Sequence, residues 1–420
     1  MRALSASCRA NAPNAWFRPE PERPDTPRKP EALTYNSLVN ILISAGEASG
    51  EMYGAQLIEA LRRQDPALAF FGVGGERMRE AGCDTVIDAR ELAVVGITEI
   101  LSHLPRIYRS FHRLIREADR RRPDLAIVID SPAFNWRVAR QMNKRGIPAV
   151  YYVAPQFWAW RQGRVRLLRR YIRKALVIFP FEEEFYRDRG VEATFVGHPL
   201  AELPPPAVTR EAYAAQYKLD RAKAWITLMP GSRVKEVRLN LPTILEAAAR
   251  LGSDFEFLLP VAPTLDRHFL EQRVGGRGFT LVPEALPALH HARAGIVASG
   301  TATVEAAMMA LPFVMVYRVS PLTYALGRPR VKVAHFAMVN LIAGERVVPE
   351  LVQDEFTAEK VVAAVREVLP DGFSRQRMLE GLARVRTKLL PPRTDGSLLP
   401  ADRAAAAVLG LLPARSPAKI

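Results

Sequence analysis

The sequence predicts an α/β protein of two Rossmann-like domains facing each other across a cleft. Three observations carry this. Buried-strand patterns alternate with helical ones from Leu38 onward. The alternation restarts after the Leu203-Pro204-Pro205-Pro206 linker. The 420 residues exceed what one average hydrophobic core organises.

Residues 1–37 carry Pro19, Pro21, Pro24, Pro27 and Pro30 and no apolar period, so they read as a disordered extension. Residues 38–203 form the first domain, with strands expected at Leu38–Ser44, Ala69–Val73, Leu125–Ile129, Ala149–Val153, Leu176–Phe179 and Ala193–Val196. Residues 204–356 form the second, with strands at Ala224–Met229, Phe255–Pro260, Phe279–Val282, Gly295–Ala298 and Phe313–Tyr317. Helices fill 357–412, and 413–420 is a tail.

The centre of the pattern is Ser299-Gly300-Thr301. A buried strand ends there and a helix begins, with Ser299 or Thr301 as its cap and Gly300 admitting close approach. Such a helix start favours a phosphate, and Glu305, about one turn in, suits ribose hydroxyls. A plain capping turn is the competing reading. Gly231-Ser232-Arg233 repeats the arrangement after the first strand of the second half, with backbone donors and one cation for a diphosphate. Lys332 is a further cation for that charge.

In the first half Asp130 ends a buried strand, where it serves either as a general base or as the cap of the following helix. Glu47 sits in the comparable loop after the first strand, where Gly46 and Gly50 leave room for a ligand. His198 also ends a strand and is the alternative base. No Asp-x-Asp occurs and the histidines are scattered, so no metal or other cofactor is expected.

The net charge of +15 calls for an anionic partner. Segments 104–122 and 161–174 supply twelve of the fifteen charges. In the first, Arg106, Arg109 and Arg113 fall on one helical face, with Leu104 and Phe111 on the other and Ile97 and Leu101 just ahead. Such a helix suits an anionic membrane surface, or is an ordinary helix packed on a sheet. Trp158 and Trp160 precede the second run, which opens at Arg161, where aromatics line an acyl or sugar pocket or anchor at an interface. No apolar run is long enough to span a bilayer, and Cys8 and Cys83 alone make no disulfide framework. A reducing compartment follows.

Taken together, Ser44-Ala45-Gly46-Glu47-Ala48-Ser49-Gly50-Glu51, Val94-Val95-Gly96-Ile97-Thr98-Glu99, Ile129-Asp130-Ser131-Pro132 with Phe134-Asn135, Trp158-Ala159-Trp160-Arg161, Pro230-Gly231-Ser232-Arg233, Ser299-Gly300-Thr301-Ala302-Thr303 with Glu305, and Asn340-Leu341-Ile342-Ala343-Gly344 resemble the lipid-A-disaccharide synthase family. The resemblance runs from about Leu38 to Leu411. It implies an inverting, metal-independent GT-B-like hexosyltransferase, cytoplasmic and peripheral on the inner membrane. UDP-2,3-diacylglucosamine and 2,3-diacylglucosamine 1-phosphate would be joined β-1,6 with release of UDP, and no nucleic acid is involved. It further implies that Asp130 matches an essential aspartate, and that Arg233, Glu305 and Asn340 lie at the nucleotide pocket. Ser49, Gly50, Trp158, Trp160 and Arg161 would face the acceptor. A homodimer with swapped C-terminal segments would follow. Ala133 stands where the family often has a second aspartate. Rival readings are another UDP-sugar GT-B enzyme or an epimerase, and a non-catalytic basic protein binding membrane or RNA.

Overall fold

The computed structural model describes residues 39–92, 97–202, 204–276, 278–328, 333–390 and 399–412. The expected N-terminal extension, the C-terminal tail and Lys332 lie outside the described residues, as do the side chains of Ile97, Leu101, Leu104 and Trp160. By contact, everything from Leu38 onward is one unit, so both sheets belong to one body.

The first sheet is built from β1 (Val39–Ala45), β2 (Leu68–Gly74), β3 (Cys83–Asp88), β4 (Leu125–Ile129), β5 (Ala149–Tyr152), β6 (Lys174–Val177) and β7 (Ala193–Phe195). They lie in the order β3-β2-β1-β4-β5-β6-β7, all parallel. The second comprises β8 (Ala224–Met229), β9 (Phe255–Pro260), β10 (Phe279–Val282), β11 (Ala294–Ala298), β12 (Phe313–Tyr317) and β13 (Glu350–Val352). Its order, β10-β9-β8-β11-β12-β13, is the same winding and again parallel. Sequence reading misses β3 and β13. Both are edge strands, and β3 exposes Asp84 while β13 has only three residues, so neither shows the apolar run of a strand covered on both faces.

Each sheet reverses direction beside its first strand, between β1 and β4 and between β8 and β11. Ligands of open α/β sheets bind at the carboxyl ends of the strands at such switch points. Helices α1 (Ala48–Gln64), after β1, and α3 (Pro132–Lys144), after β4, begin there, while α2 (Ile97–Arg121) runs ahead of β4 and α4 (Val165–Tyr171) lies between β5 and β6. In the second half α5 (Val234–Leu251) follows β8 and α6 (Thr301–Met308) follows β11. Helix α5 shows why these segments are helical. Val237, Leu241, Ile244 and Ala248 recur every three or four residues and are all buried. The chain closes with α7 (Phe373–Leu389) and α8 (Pro400–Leu409). Helix α8 returns to the first half, where Asp402 pairs with Arg63 of α1 at 2.7 Å.

The turn after β4 is strained. Asp130 and Ser131 both adopt left-handed backbone conformations, φ +47° and +45°, a region that costs a non-glycine residue about 1–2 kcal/mol. Buried Asn135 holds it. Its Oδ1 accepts from Ser44 Oγ at 2.7 Å. Its Nδ2 donates toward the carbonyls of Ile129 at 2.8 Å, Asp130 at 2.9 Å and Ser44 at 3.2 Å. The Tyr151 hydroxyl adds a hydrogen bond to the Asp130 carbonyl at 2.7 Å. Asn135→Ala would orphan these buried groups and release the turn. A loss of about 2–4 kcal/mol is expected, read from the urea midpoint of unfolding, whereas an unchanged midpoint would show that the turn stands without this bracket.

Candidate active site

The four switch-point strand ends carry Glu47, Asp130, Arg233 and the Ser299–Thr301 turn. The first three act on one another electrostatically, although they come from both halves. Burial pushes the Asp130 carboxyl up to about 6 and Glu47 adds to this, while the Ser131 N–H and Arg233 pull it down. Burial opposes the charge on Arg233, but Glu236, Glu47 and Asp130 outweigh it and raise its pKa. Tyr53 of α1 is buried, and its hydroxyl is raised first by burial and then by Glu305 of α6 and Asp130. Tyr53 thus lies within electrostatic range of both Asp130 and Glu305, and Asp130 within that of Arg233.

At α5 the expected diphosphate donors are present but already have an acceptor. Glu236 Oε2 accepts from Ser232 N at 3.1 Å and Arg233 N at 3.3 Å, and Oε1 takes Arg233 Nη1 at 3.0 Å. Gly231 makes this possible. Its φ is +125°, and a Cβ there would stand 2.8 Å from Glu236 Oε2. At α6 the helix begins after Gly300, with no side-chain cap. Ser299 is not the cap expected from sequence, because its hydroxyl donates to the Phe336 carbonyl at 2.8 Å. Thr301 is exposed in the first turn. Burial raises the Glu305 carboxyl. Among the described residues that carboxylate takes part in no hydrogen bond or ion pair.

Several sequence expectations are corrected here. His198 is 1% exposed, its Nδ1 accepts from Leu200 N at 3.1 Å, and burial lowers its pKa to about 3. Packed between Tyr53 and Phe179, it is a neutral structural imidazole and not an alternative base. Asn340 is fully buried. Its Oδ1 accepts from Val347 N and Val348 N, and its Nδ2 donates to Val348 O and Glu350 Oε1. All four of its hydrogen-bonding positions are internal, so nothing remains for a nucleotide. Trp158 is also buried, with its indole N–H on Glu182 Oε1 at 2.8 Å, and makes a wall rather than an acceptor contact.

Gly50 is packed against Ala45 and Ile129, and Gly46 makes room for Ser131. The space at both glycines is filled by protein, not left for a ligand. Ser49 is half-buried in the first turn of α1, and Arg161 is exposed. Phe111, expected at a membrane surface, is half-buried with its ring edge-on to Phe134 at 5.8 Å. Beyond it Leu114, Ile115 and Ala118 are buried in the core. The arginine face is as expected: Arg106, Arg109 and Arg113 are exposed, with Arg116 and Arg120 continuing the row. Sequence reading did not single out Tyr53 or Glu236. Glu236, three residues into α5 from its capping position, was findable as a capping carboxylate.

The raised Asp130 carboxyl makes a stability test with a definite sign. In the unfolded chain Asp130 ionises near 3.8, and in the fold near 6. Stability is therefore lost as pH rises through that interval and stays lost above it. Asp130→Asn lacks the loss. It is expected to unfold at higher denaturant than the parent above about pH 6, by about 3 kcal/mol, with the gap closing below about pH 4. A gap that is constant with pH would show that Asp130 is not electrostatically strained.

Comparison with known proteins identifies the family. The lipid-A-disaccharide synthetase family matches residues 41–388. The chain is 53% identical over 379 residues to the lipid-A-disaccharide synthase of Koribacter versatilis strain Ellin345, covering 89% of this chain and 99% of that one. With the Acidobacterium capsulatum lipid-A-disaccharide synthase it shares 50% identity over 373 residues, 85% and 93% of the two chains.

Among solved structures the glycotransferase of kitacinnamycin superposes with a TM-score of 0.58 at 15% identity, covering 90% of this chain and all of that one. The calicheamicin glycosyltransferase CalG4 superposes at 0.54 and 17%, covering 89% and 98%. UDP-GlcNAc 2-epimerase from Neisseria meningitidis gives 0.58 and 11%, covering 88% and 99%. At such identities these show the shared two-domain GT-B fold and nothing finer. The sequence relatives, matched over nearly their full length, decide the family: this chain is a member of the lipid-A-disaccharide synthases.

Proposed function

We infer that this chain joins UDP-2,3-diacylglucosamine to 2,3-diacylglucosamine 1-phosphate, forming the β-1,6-linked lipid A disaccharide 1-phosphate and UDP. The observation that carries the chemistry is Asp130, held by a strained turn at one switch point and facing Arg233 of the other half across the cleft. A carboxyl titrating near 6 is ionised at neutral pH and is a stronger base than an ordinary aspartate. Asp130 takes the proton of the acceptor 6-hydroxyl as that oxygen attacks the donor's anomeric carbon. The bond from this carbon to the diphosphate oxygen breaks with its electron pair, and the configuration inverts. Arg233, Ser232 N–H and the open start of α6 meet the charge on the departing UDP. Glu305 accepts the ribose hydroxyls. Glu47 keeps the Asp130 carboxyl high, and so basic.

Both substrates are lipids, so the enzyme works at the cytoplasmic face of an anionic inner membrane, as a peripheral protein and a homodimer. The exposed arginine row of α2 supports this reading, with Tyr108, 65% exposed, beside it. No helix among the described residues is long and apolar enough to cross a bilayer.

The reaction is tested by UDP release from the purified protein with each diacyl sugar alone and with both. Release is expected only with both, and a chelator should leave it unchanged. Turnover of the UDP-sugar without the acceptor would point to an epimerase or hydrolase instead. Asp130→Ala should lower kcat about 10²- to 10⁴-fold, and near-normal turnover would remove Asp130 as the base. For the membrane, replacing Arg106, Arg109 and Arg113 together by Glu should abolish sedimentation with vesicles containing phosphatidylglycerol, since each basic residue contributes about 1 kcal/mol near such a surface. Unchanged sedimentation would place the membrane face elsewhere.

A further inference from the structure

A second cationic group lies apart from the cleft residues. No acidic residue occurs between Asp130 and Glu182, a stretch that holds α3, α4 and the turn Gln162–Arg164. Arg137 of α3 and Arg164 of that turn are both exposed, and no ion pair involves either among the described residues. Other basic residues of the stretch do find acids: Arg145 pairs with Asp119, and Lys174 with Glu192.

Arg137 is fixed in place. Its guanidinium stacks on Trp136 at 4.8 Å and donates back to the Ala133 carbonyl, so it points along α3 toward the Asp130–Ser131 turn. Helices α3 and α4 close on each other beneath it. The apolar seam between them, lined by Trp136, Leu167 and Tyr171, leaves only about 10 Å³, too little for more than one water. The arginines therefore cannot sink inward. Trp136, next to Arg137, and Leu167, three residues after Arg164, line the same seam, and Arg164 N donates to the Arg161 carbonyl at 2.8 Å, which gathers the three cations on one face. In keeping with this, burial and the Arg164 charge lower the pKa of both Arg137 and Arg161. Like charges held together on a closed surface are stabilised by a compact anion, and planar guanidinium groups suit phosphate oxygens.

We propose that Arg137 and Arg164, with Arg161 beside them, form a site for a phosphate monoester next to the Asp130 turn, and that the acceptor's 1-phosphate occupies it. The second clause rests on the reaction inferred above. The site explains how one diacylglucosamine is selected as acceptor: its phosphate is held on the first half, and its 6-hydroxyl is presented to Asp130. The diphosphate of the donor meets a different set of groups, on the second half.

The test compares two acceptors, 2,3-diacylglucosamine 1-phosphate and the same sugar without phosphate. In the parent protein the phosphorylated acceptor should have the lower KM. In Arg137→Gln or Arg164→Gln that advantage should shrink about ten- to a hundredfold, with the KM for the UDP-sugar unmoved. Arg137→Lys should restore part of it, and Arg166→Gln, an exposed neighbour, should leave it intact. Equal loss with both acceptors would mean the arginines only support the fold, and would overturn the proposal. So would normal discrimination accompanied by weaker binding to phosphatidylethanolamine vesicles containing phosphatidylglycerol, because the occupant would then be a lipid headgroup. If the parent protein transfers to neither sugar, the inferred reaction fails. The site is then tested by calorimetry with glucosamine 1-phosphate, where binding to the parent but not to Arg164→Gln supports it and no binding to the parent overturns it.

Discussion

The structure depends on holding two consecutive residues, Asp130 and Ser131, in a backbone conformation neither favours. An extended exit from β4 would carry the Asp130 side chain away from the cleft. The left-handed pair instead turns the chain abruptly into α3. Asn135, one turn into that helix, reaches back to the carbonyls of Ile129 and Asp130 and across to Ser44 of β1. One buried carboxamide thus ties the ends of the two strands that flank the switch point. Strain of this kind persists only where surrounding contacts over-determine it, and it concentrates at functional sites. Here it positions a carboxylate that is itself unfavourable, because it is buried and close to Glu47.

The charges across the cleft are complementary. The first half contributes Glu47 and Asp130, and the second contributes Arg233 and helix starts. Glu236 neutralises Arg233 and holds two backbone donors. On the proposed reading, nucleotide affinity at these donors would be a difference between two anions, the diphosphate and the Glu236 carboxylate. A diphosphate carries more charge than the carboxylate it replaces, which favours the exchange. Desolvation of the displaced Glu236 opposes it. On that reading Glu236 would also assist release, by taking the donors back as the leaving group departs.

Much of this was legible in the sequence because the informative signals are local. Buried strands of a parallel sheet are short apolar runs, and the residue after each run marks the ligand-binding edge. Asp130, Arg233 and Ser299 were singled out that way, and the structure places all three at strand ends beside the switch points. The failures share a different cause. His198, Asn340 and Trp158 are polar or aromatic residues whose hydrogen bonds are already made within the fold: with Leu200 N two residues on, with Glu350 and with Glu182. Sequence shows a polar group near a cleft but not whether its hydrogen bonds are already made. Asn340 and Asn135 look alike in sequence, and both are brackets. Edge strands β3 and β13 escaped because one polar or exposed side removes the continuous apolar run. The apolar side of α2 was ambiguous for the same reason, since a stripe that packs on a sheet and one that meets lipid have the same period.

Charge placement separates the roles of the two kinds of cation in this chain. The excess lies on α2 and on residues 161–174, both in the first half, while the centre of the cleft carries carboxylates. A cationic surface around an acidic centre does two things at once. At long range it attracts anions toward the first half, an effect that added salt weakens. At short range it leaves Asp130 unpaired, because an arginine close enough to neutralise that carboxylate would lower its pKa and remove its basicity. Arg233 approaches Asp130 but is held by Glu236, so its pull on Asp130 is weaker than burial and Glu47 combined. Among the described residues Arg233 is the one arginine that lowers the Asp130 carboxyl, so the cationic surface of the first half leaves that carboxylate basic.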